Sequence, residues 1–349
     1  MAIRVPVILL NWNGIEDTIE CVESLLNQEN TEPLIFIGDN ASANQEGSQL
    51  KSTYASESNI HVYLFDENHG FAKGCNLLMQ EAMQLYPDST ALALLNNDAV
   101  ADPDWLWHLS QTMNNTGAGM VGSMLVSYHD RSILDNVGHQ MLSSGEIVPI
   151  GNKAPTDQYL SQVTNFGSCA AGVLYSCQML DQIGLYDIYF HTGYEDAEIG
   201  ARALVAGYKS IYCPEAVVYH KVSQSVGKIF DENYLKIIQK SIYYTYLKLM
   251  PTLLLIWTLP GIIVKMMTMF LLNLLTNQRH RNRIHGAALR SIWNDRKLIR
   301  EKRREFYDKV TPVSSFNVRR QQINWVYFDI KRFWRFHIKG EKSQLEKVG

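Results

Sequence analysis

The apolar run Ala91-Leu92-Ala93-Leu94-Leu95 stops abruptly at Asn96-Asn97-Asp98. A short apolar run bounded by polar residues reads as a buried strand. An acid at the C-terminal mouth of such a strand stands where open α/β sheets bind ligands. Asp39 ends an earlier apolar run, Leu34 to Ile37, and the acidic pair Glu195-Asp196 lies downstream. Acids so placed suit a metal-held, phosphate-bearing substrate with a separate carboxylate base. On spacing alone they are equally the acids of three unrelated loops.

The first hundred residues alternate between two periods. Val5 to Leu10 reads as a strand opening into Asn11-Trp12-Asn13-Gly14, and Ile19, Val22, Leu25 and Leu26 form the stripe of a following helix. Ile60 to Phe65 is a third strand candidate, nearer a sheet edge, after a weak helix over Gln49 to Glu57. Gly70 to Tyr86 carries Leu77, Leu78, Ala82 and Leu85 at helical spacing and ends at Pro87-Asp88. Strand–helix alternation of this kind predicts a three-layer α/β/α fold with a mostly parallel sheet, not a sandwich. No GxGxxG or Walker A loop is present, so neither a dinucleotide fold nor a P-loop ATPase is indicated. Further along, Gly119 to Val126 reads as a strand and Val137 to Ile150 as an irregular hairpin around Ser144-Gly145. Glu195 to Ala206 reads as a helix, and Ile211 to Tyr219 as a strand pair broken at Pro214.

A net charge of -3 gives no global argument for nucleic acid. Five cysteines at 21, 75, 169, 177 and 213 lack metal-binding spacing, and an odd count fits a reducing compartment. The N-terminal apolar run is too short for a signal peptide core, so the catalytic part is expected in the cytoplasm. After Gln224 the character changes. Tyr234 to Met250 reads as a helix, and Leu253 to Leu275 is almost continuously apolar, with Pro260-Gly261 and Lys265 inside it. The stretch from Gln278 to Arg304 is strongly basic. The apolar segment reaches the roughly 20 residues that span a bilayer. A mid-segment lysine is costly at a bilayer centre, and Pro260 predicts a kink. Together with the basic stretch, this favours helices lying in the inner leaflet, peripheral or monotopic, over a true span.

Six motifs, in order, resemble those of inverting glycosyltransferases of the large GT-A family 2, which includes bacterial rhamnosyltransferases and other polysaccharide-building enzymes. They are Asn11 to Gly14, Asp39 to Ser42, Glu67 to Asn76, Leu95 to Ala99, Tyr194 to Glu198, and Pro214 to His220. The resemblance implies a catalytic region over 1–225, with a nucleotide-binding half at 1–100 and an acceptor-side half at 101–225. A mainly helical region would occupy 226–349. It implies Asp98 as a ligand of Mg²⁺ or Mn²⁺, with Asn96 or Asn97 near the ribose or a metal-bound water. The motif departs from two acids separated by one residue, since its first member is Asn96. His220 is implied as a second metal ligand. Asp39 would accept the imide hydrogen of uracil or thymine, and Asn11 and Asn13 would shape the turn around the base. Lys73 would approach the diphosphate, and His191 the acceptor or a phosphate. Asp196 is implied as the base, Glu195 as its neighbour orienting loop or acceptor, and Arg202 as a partner for a phosphate or a nearby carboxylate.

The expected reaction moves a sugar, with rhamnose the leading choice, from a dTDP- or UDP-sugar to a lipid-linked or polysaccharide acceptor at the inner-leaflet surface. Two other readings stay open at this stage. One is nucleotidyl transfer to a sugar phosphate, which would normally begin with a glycine-rich, basic phosphate loop. The other is a non-catalytic sugar-nucleotide-binding scaffold subunit, against which the intact Asp98 and Asp196 argue.

Overall fold

The computed structural model describes residues 3–222 and 232–334. The expected boundary between catalytic and C-terminal regions, at 225/226, lies outside the described residues. The chain divides into two compact units: Met1–His139 with Pro149–Ser223, and Gln140–Val148 with Gln224–Gly349.

The first unit is built on a mixed sheet. It opens with β1 (Ile3–Asn11), α1 (Ile15–Leu26), β2 (Thr31–Asp39), α2 (Glu46–Thr53), β3 (Ile60–Leu64), α3 (Gly70–Leu85) and β4 (Ala91–Leu95). It continues through β5 (Ala99–Ala101), α4 (Trp105–Thr116), β6 (Met120–Ser127), β7 (Leu134–Asn136) and β8 (His139–Leu142). Then come β9 (Ile147–Pro149), β10 (Val163–Asn165), β11 (Gly172–Ser176), α5 (Cys177–Ile183), α6 (Glu195–Ala206) and β12 (Ser210–His220). The main path of the sheet runs β10-β12-β6-β11-β4-β1-β2-β3. Strands β3, β2, β1 and β4 are parallel, as alternation predicts, whereas β11 runs antiparallel to both β4 and β6.

The order β3-β2-β1-β4 creates a switch point beside β1. The chain first winds outward to β3, then crosses back to place β4 on the other flank. Crevices at such points, beyond the carboxyl ends of the strands, are where open sheets bind ligands. Register brings the key residues there: Asn11, the last residue of β1, pairs with Asp39, the last of β2. The strands stay in place because both faces are covered. Val7, Leu9, Ile35 and Ile37 pack with Cys21, Val22, Leu25 of α1 and Trp105, Leu109 of α4. Each fully buried Leu, Ile or Phe contributes about 1.5–3 kcal/mol relative to exposure. On the other face α3 approaches closely at Gly74, where a Cβ would stand 2.9 Å from the Leu10 side chain.

One expectation is corrected here. Residues 210–220 are a single strand, not a pair broken at Pro214. Its register against β6 jumps from Cys213↔Ser123 to Val217↔Met124, so three extra residues bulge out around the proline. Proline has no N–H to give the ladder, and a bulge accommodates it without ending the strand.

The second unit joins the turn between β8 and β9 to α7 (Glu232–Leu249), α8 (Thr252–Leu275), α9 (Arg279–Asn294), α10 (Arg296–Lys309), α11 (Ser315–Arg320), β13 (Gln322–Ile323) and α12 (Trp325–Phe333). Helix α8 continues through Pro260. The apolar segment buries Leu254, Thr258, Ile262, Lys265 and Asn273, all on one side of that helix. Lys265 is paired: its Nζ lies 3.0 Å from Glu146, 3.1 Å from Asp329 and 3.4 Å from Ser144 Oγ.

Candidate active site

Asn11 is the hub of a buried hydrogen-bonded cluster at the ends of β1 and β2. Its Nδ2 donates to Asp39 Oδ1 (2.8 Å), Glu46 Oε2 (3.1 Å) and Ser42 Oγ (3.2 Å), while its Oδ1 accepts from Thr18 (2.8 Å). Thr18 in turn accepts from Asn97 Nδ2 at 3.0 Å, which ties this cluster to the acidic motif after β4. The second oxygen of Asp39 accepts from Ser42 N–H (3.2 Å), so this buried carboxylate is fixed by a neutral amide and a backbone donor. Asn13, in the left-handed region at φ 54°, accepts from Ala43 N–H at 2.8 Å through its side chain. Asn40 links this cluster to the next loop, donating to Asn68 and accepting from His69 N–H.

A second centre forms where β4, β5 and β12 meet. Asp98 is buried, and pairing of Ala99 with His220 brings the two side chains together. His220 Nε2 lies 3.2 Å from Asp98 Oδ1, and its Nδ1 lies 2.9 Å from Asp135 Oδ2. Burial opposes charge on this imidazole, but hydrogen bonds to Asp135 and Asp98 outweigh it and raise the pKa to about 10. The donor set fits a divalent ion. A carboxylate and an imidazole suit Mn²⁺ or Mg²⁺ better than a thiol-rich set would. A carboxylate on the far ring nitrogen is the usual device for aiming a ligating histidine. Asn96 presents a buried Oδ1 that has no hydrogen-bond partner among the described residues.

The third centre is the first turn of α6. Asp196 Oδ1 accepts from Ala197 N–H (2.7 Å) and Oδ2 from Ala170 N–H (3.3 Å). These two backbone donors fix the orientation of that carboxylate. Beside it, burial first and Asp196 second push the Glu195 carboxyl up to about 8, and its Oε2 is buried without a partner among the described residues. The two neighbouring carboxyls thus sit in unlike surroundings: Glu195 is buried and held neutral near pH 7, while Asp196 meets two backbone N–H groups. His139 Nε2 stands 3.9 Å from Asp196, and ligand atoms of His139, Cys169 and Asp196 lie within 4.8 Å of one another. Burial and Asp196 hold the Cys169 thiol well above its ordinary pKa, which works against the thiolate a metal would need.

The other expected residues are Arg202, Lys73 and His191. Arg202 does not face a phosphate site. It is buried, pairs with Glu198 (2.9 and 2.8 Å), and donates to the carbonyls of Ile183 (2.6 Å), Gly184 (2.9 Å) and Leu185 (2.7 Å). Of its two expected partners, the carboxylate is the one present, and its donors are spent on the loop before α6. Lys73 is half exposed and 3.8 Å from Glu67. His191 accepts from Phe71 N–H (2.8 Å) through its carbonyl and closes over Gly70, whose φ is +73°. A Cβ on Gly70 would stand 2.5 Å from His191 Nδ1, so this approach requires glycine twice over. The sequence gives no role to Glu46, Asp135 and His139, nor to Asn40 within its motif, because each meets a partner distant in the chain.

The family model for glycosyl transferase family 2 matches residues 7–184, which hold the Asn11–Asp39 cluster, the acidic motif after β4 and the chain through α5. No curated protein sequence matches the chain at a significant level. Among solved structures, a mannosyltransferase from Pyrobaculum calidifontis in complex with GDP-Man and Mn²⁺ is similar at a TM-score of 0.52 and 13% identity, over 84% of this chain and 88% of that one. GalNAc-T7 with UDP, GalNAc and Mn²⁺ is similar at a TM-score of 0.52 and 13% identity, over 71% of this chain. The likeness spans half the length of GalNAc-T7. At such identity the likeness speaks for the fold, which is GT-A. With 178 of 349 residues matched (7 to 184 inclusive), the chain belongs to glycosyl transferase family 2.

Proposed function

We propose that this glycosyltransferase moves a sugar, with rhamnose the first to test, from a dTDP- or UDP-sugar to a lipid-linked or polysaccharide acceptor, inverting the anomeric centre. It would act at the cytoplasmic face of the cell membrane. The observation that carries the reading is a backbone link between two acidic centres. Ala170 N–H donates to Asp196, while the next residue, Ala171, accepts from Asn96 N–H at 3.3 Å. A leaving-group motif and a candidate base at either end of one short segment suit a single in-line displacement.

In this reading Asp39 accepts the imide hydrogen of uracil or thymine, and Asn11 and Ser42 hold it at the required angle. Asp98 and His220 would hold Mg²⁺ or Mn²⁺, and Asp135 keeps the imidazole aimed. When bound, such an ion neutralises charge growing on the departing diphosphate. Asn96 and Asn97 border the donor. Asp196 takes the proton from the acceptor hydroxyl, a task that needs contact at about 3 Å. The acceptor oxygen bonds to the anomeric carbon as the bond from that carbon to the phosphate oxygen breaks, and the nucleoside diphosphate leaves. Glu195, held neutral, removes a second negative charge from the place where the acceptor approaches.

The test is a panel of UDP-, dTDP- and GDP-sugars with Mn²⁺, read by chromatography of the released nucleoside diphosphate. Release from the pyrimidine donors, and its loss in Asp98→Ala, is the expected result. Turnover of GDP-sugars alone would refute the role of Asp39, and unchanged release by Asp98→Ala would refute that of Asp98.

A further inference from the structure

Helix α8 leaves one face uncovered and places a cleft of arginines at its start. Its buried positions fall on one side, and the opposite side exposes Leu253, Ile256, Trp257, Val264, Met267 and Leu271, each more than half exposed. At about 1.5 Å per residue, its 24 residues give a stripe about 36 Å long. A contiguous apolar surface of that extent marks an interaction site. At the N-terminal end, Thr252, Arg300, Arg303, Arg304 and Tyr307 line an open cleft of about 310 Å³. Arg303 is committed to the fold, donating to the carbonyls of Leu247, Lys248 and Met250 and to Thr252 Oγ1. Arg300 and Arg304 are exposed and have no acidic partner among the described residues.

We infer that this unit carries a seat for an anionic phospholipid bilayer, with the α8 stripe in the acyl boundary and Arg300 and Arg304 receiving a lipid phosphate. This deepens the membrane part of the proposed function and rests on it. Two observations choose the bilayer over a protein partner. The apolar stripe and the cationic cleft are continuous through Thr252 and Leu253, which matches a surface whose phosphates lie beside its hydrocarbon. Trp257 stands one turn in, where interfacial tryptophans are favoured. Lys265 decides the orientation. It is held on the side away from the stripe by Glu146 and Asp329 and lies 5.3 Å from the Trp325 ring. A spanning α8 would carry this lysine and both carboxylates into hydrocarbon, which disfavours that orientation. An α8 lying along the interface leaves them in the protein.

The full chain should be sedimented with sucrose-loaded phosphatidylcholine vesicles, with and without phosphatidylglycerol, at about 0.15 M salt. Binding should rise at least tenfold with the anionic lipid, and Arg300→Glu with Arg304→Glu should remove that gain. Met267→Glu, on an exposed site, should abolish binding to both vesicle types. Millimolar inorganic phosphate should not displace the protein. Displacement by phosphate would make the cleft a soluble-anion site and overturn the proposal. A wild-type dimer that Met267→Glu converts to a monomer, without vesicle binding, would overturn it in favour of a second copy. Hydrolysis of a nucleotide sugar in solution reads the catalytic unit separately. Normal hydrolysis without vesicle binding would sink the seat and leave the glycosyltransferase reading standing.

Discussion

Asn11→Asp changes one atom's character and keeps the shape of the hub. In the wild type, Nδ2 donates to Asp39 and Glu46 at 2.8 and 3.1 Å. The substitution sets a third carboxylate oxygen against those two. At an effective dielectric of about 20, unit charges at these separations repel by about 6 and about 5 kcal/mol. Taking up one proton is cheaper. For a carboxyl of ordinary pKa near 4 it costs about 4 kcal/mol at about pH 7, from three units of about 1.4 each. The variant should therefore lose about 4 kcal/mol near neutrality, a fall of roughly 10 °C in Tm for a unit of this size. The sign with pH is fixed by linkage. The added carboxyl cluster has its pKa raised by folding, so the deficit is smallest at low pH and grows as pH rises. Thermal unfolding of variant and wild type, compared from about pH 5 to about pH 7, should show the deficit growing by about 1.4 kcal/mol per unit. Affinity for UDP should fall in parallel. Equal stability at neutral pH, or a deficit independent of pH, would refute the hub.

Three further outcomes are expected. Folding raises the Glu195 pKa from 4.5 to about 8, so between those values the unfolded chain ionises while the folded carboxyl keeps its proton, and stability falls as pH rises. Glu195→Gln should remove the cost, and its Tm advantage over wild type should widen from about pH 5 to about pH 8, with a flat difference contradicting it. Arg202→Ala leaves the fully buried Glu198 without its guanidinium and should cost about 3–5 kcal/mol in denaturant unfolding. UDP affinity should stay intact, and a stable variant with weakened UDP binding would return Arg202 to the pocket. Asp135→Asn should lower Mn²⁺ affinity about 10–100-fold in the presence of UDP, measured by electron paramagnetic resonance of free Mn²⁺. Unchanged affinity would remove Asp135 from its positioning role.

The elements legible in the sequence were those with a strong local signal. Ala91 to Leu95 is uniformly apolar and matches β4 residue for residue, and Glu195 to Ala206 is helical over the expected span. The juxtaposition of Asn11 with Asp39 was not legible, because it depends on the β1–β2 register. Asp135 lies 85 residues from His220, and nothing in its own neighbourhood marks it as a partner. Glu46 and Asn40 are polar residues in loops and helix starts, where solvent exposure is the ordinary expectation. Lys265 invited a bilayer argument only because Glu146 and Asp329 are far from it in sequence. Arg202 is different. Its i, i+4 spacing from Glu198 is legible as an ion pair on a helix face, and the structure realises that carboxylate partner.

The role of Asp196 is the centre of the account, and anomeric analysis of the product tests it most directly. Wild-type enzyme, nucleotide sugar and acceptor should give a product whose anomeric configuration, read by NMR, is opposite to that of the donor. Asp196→Asn should bind UDP as the wild type does while forming that product at least about 100-fold more slowly. A product that retains the donor's configuration, or normal transfer by Asp196→Asn, would contradict the mechanism.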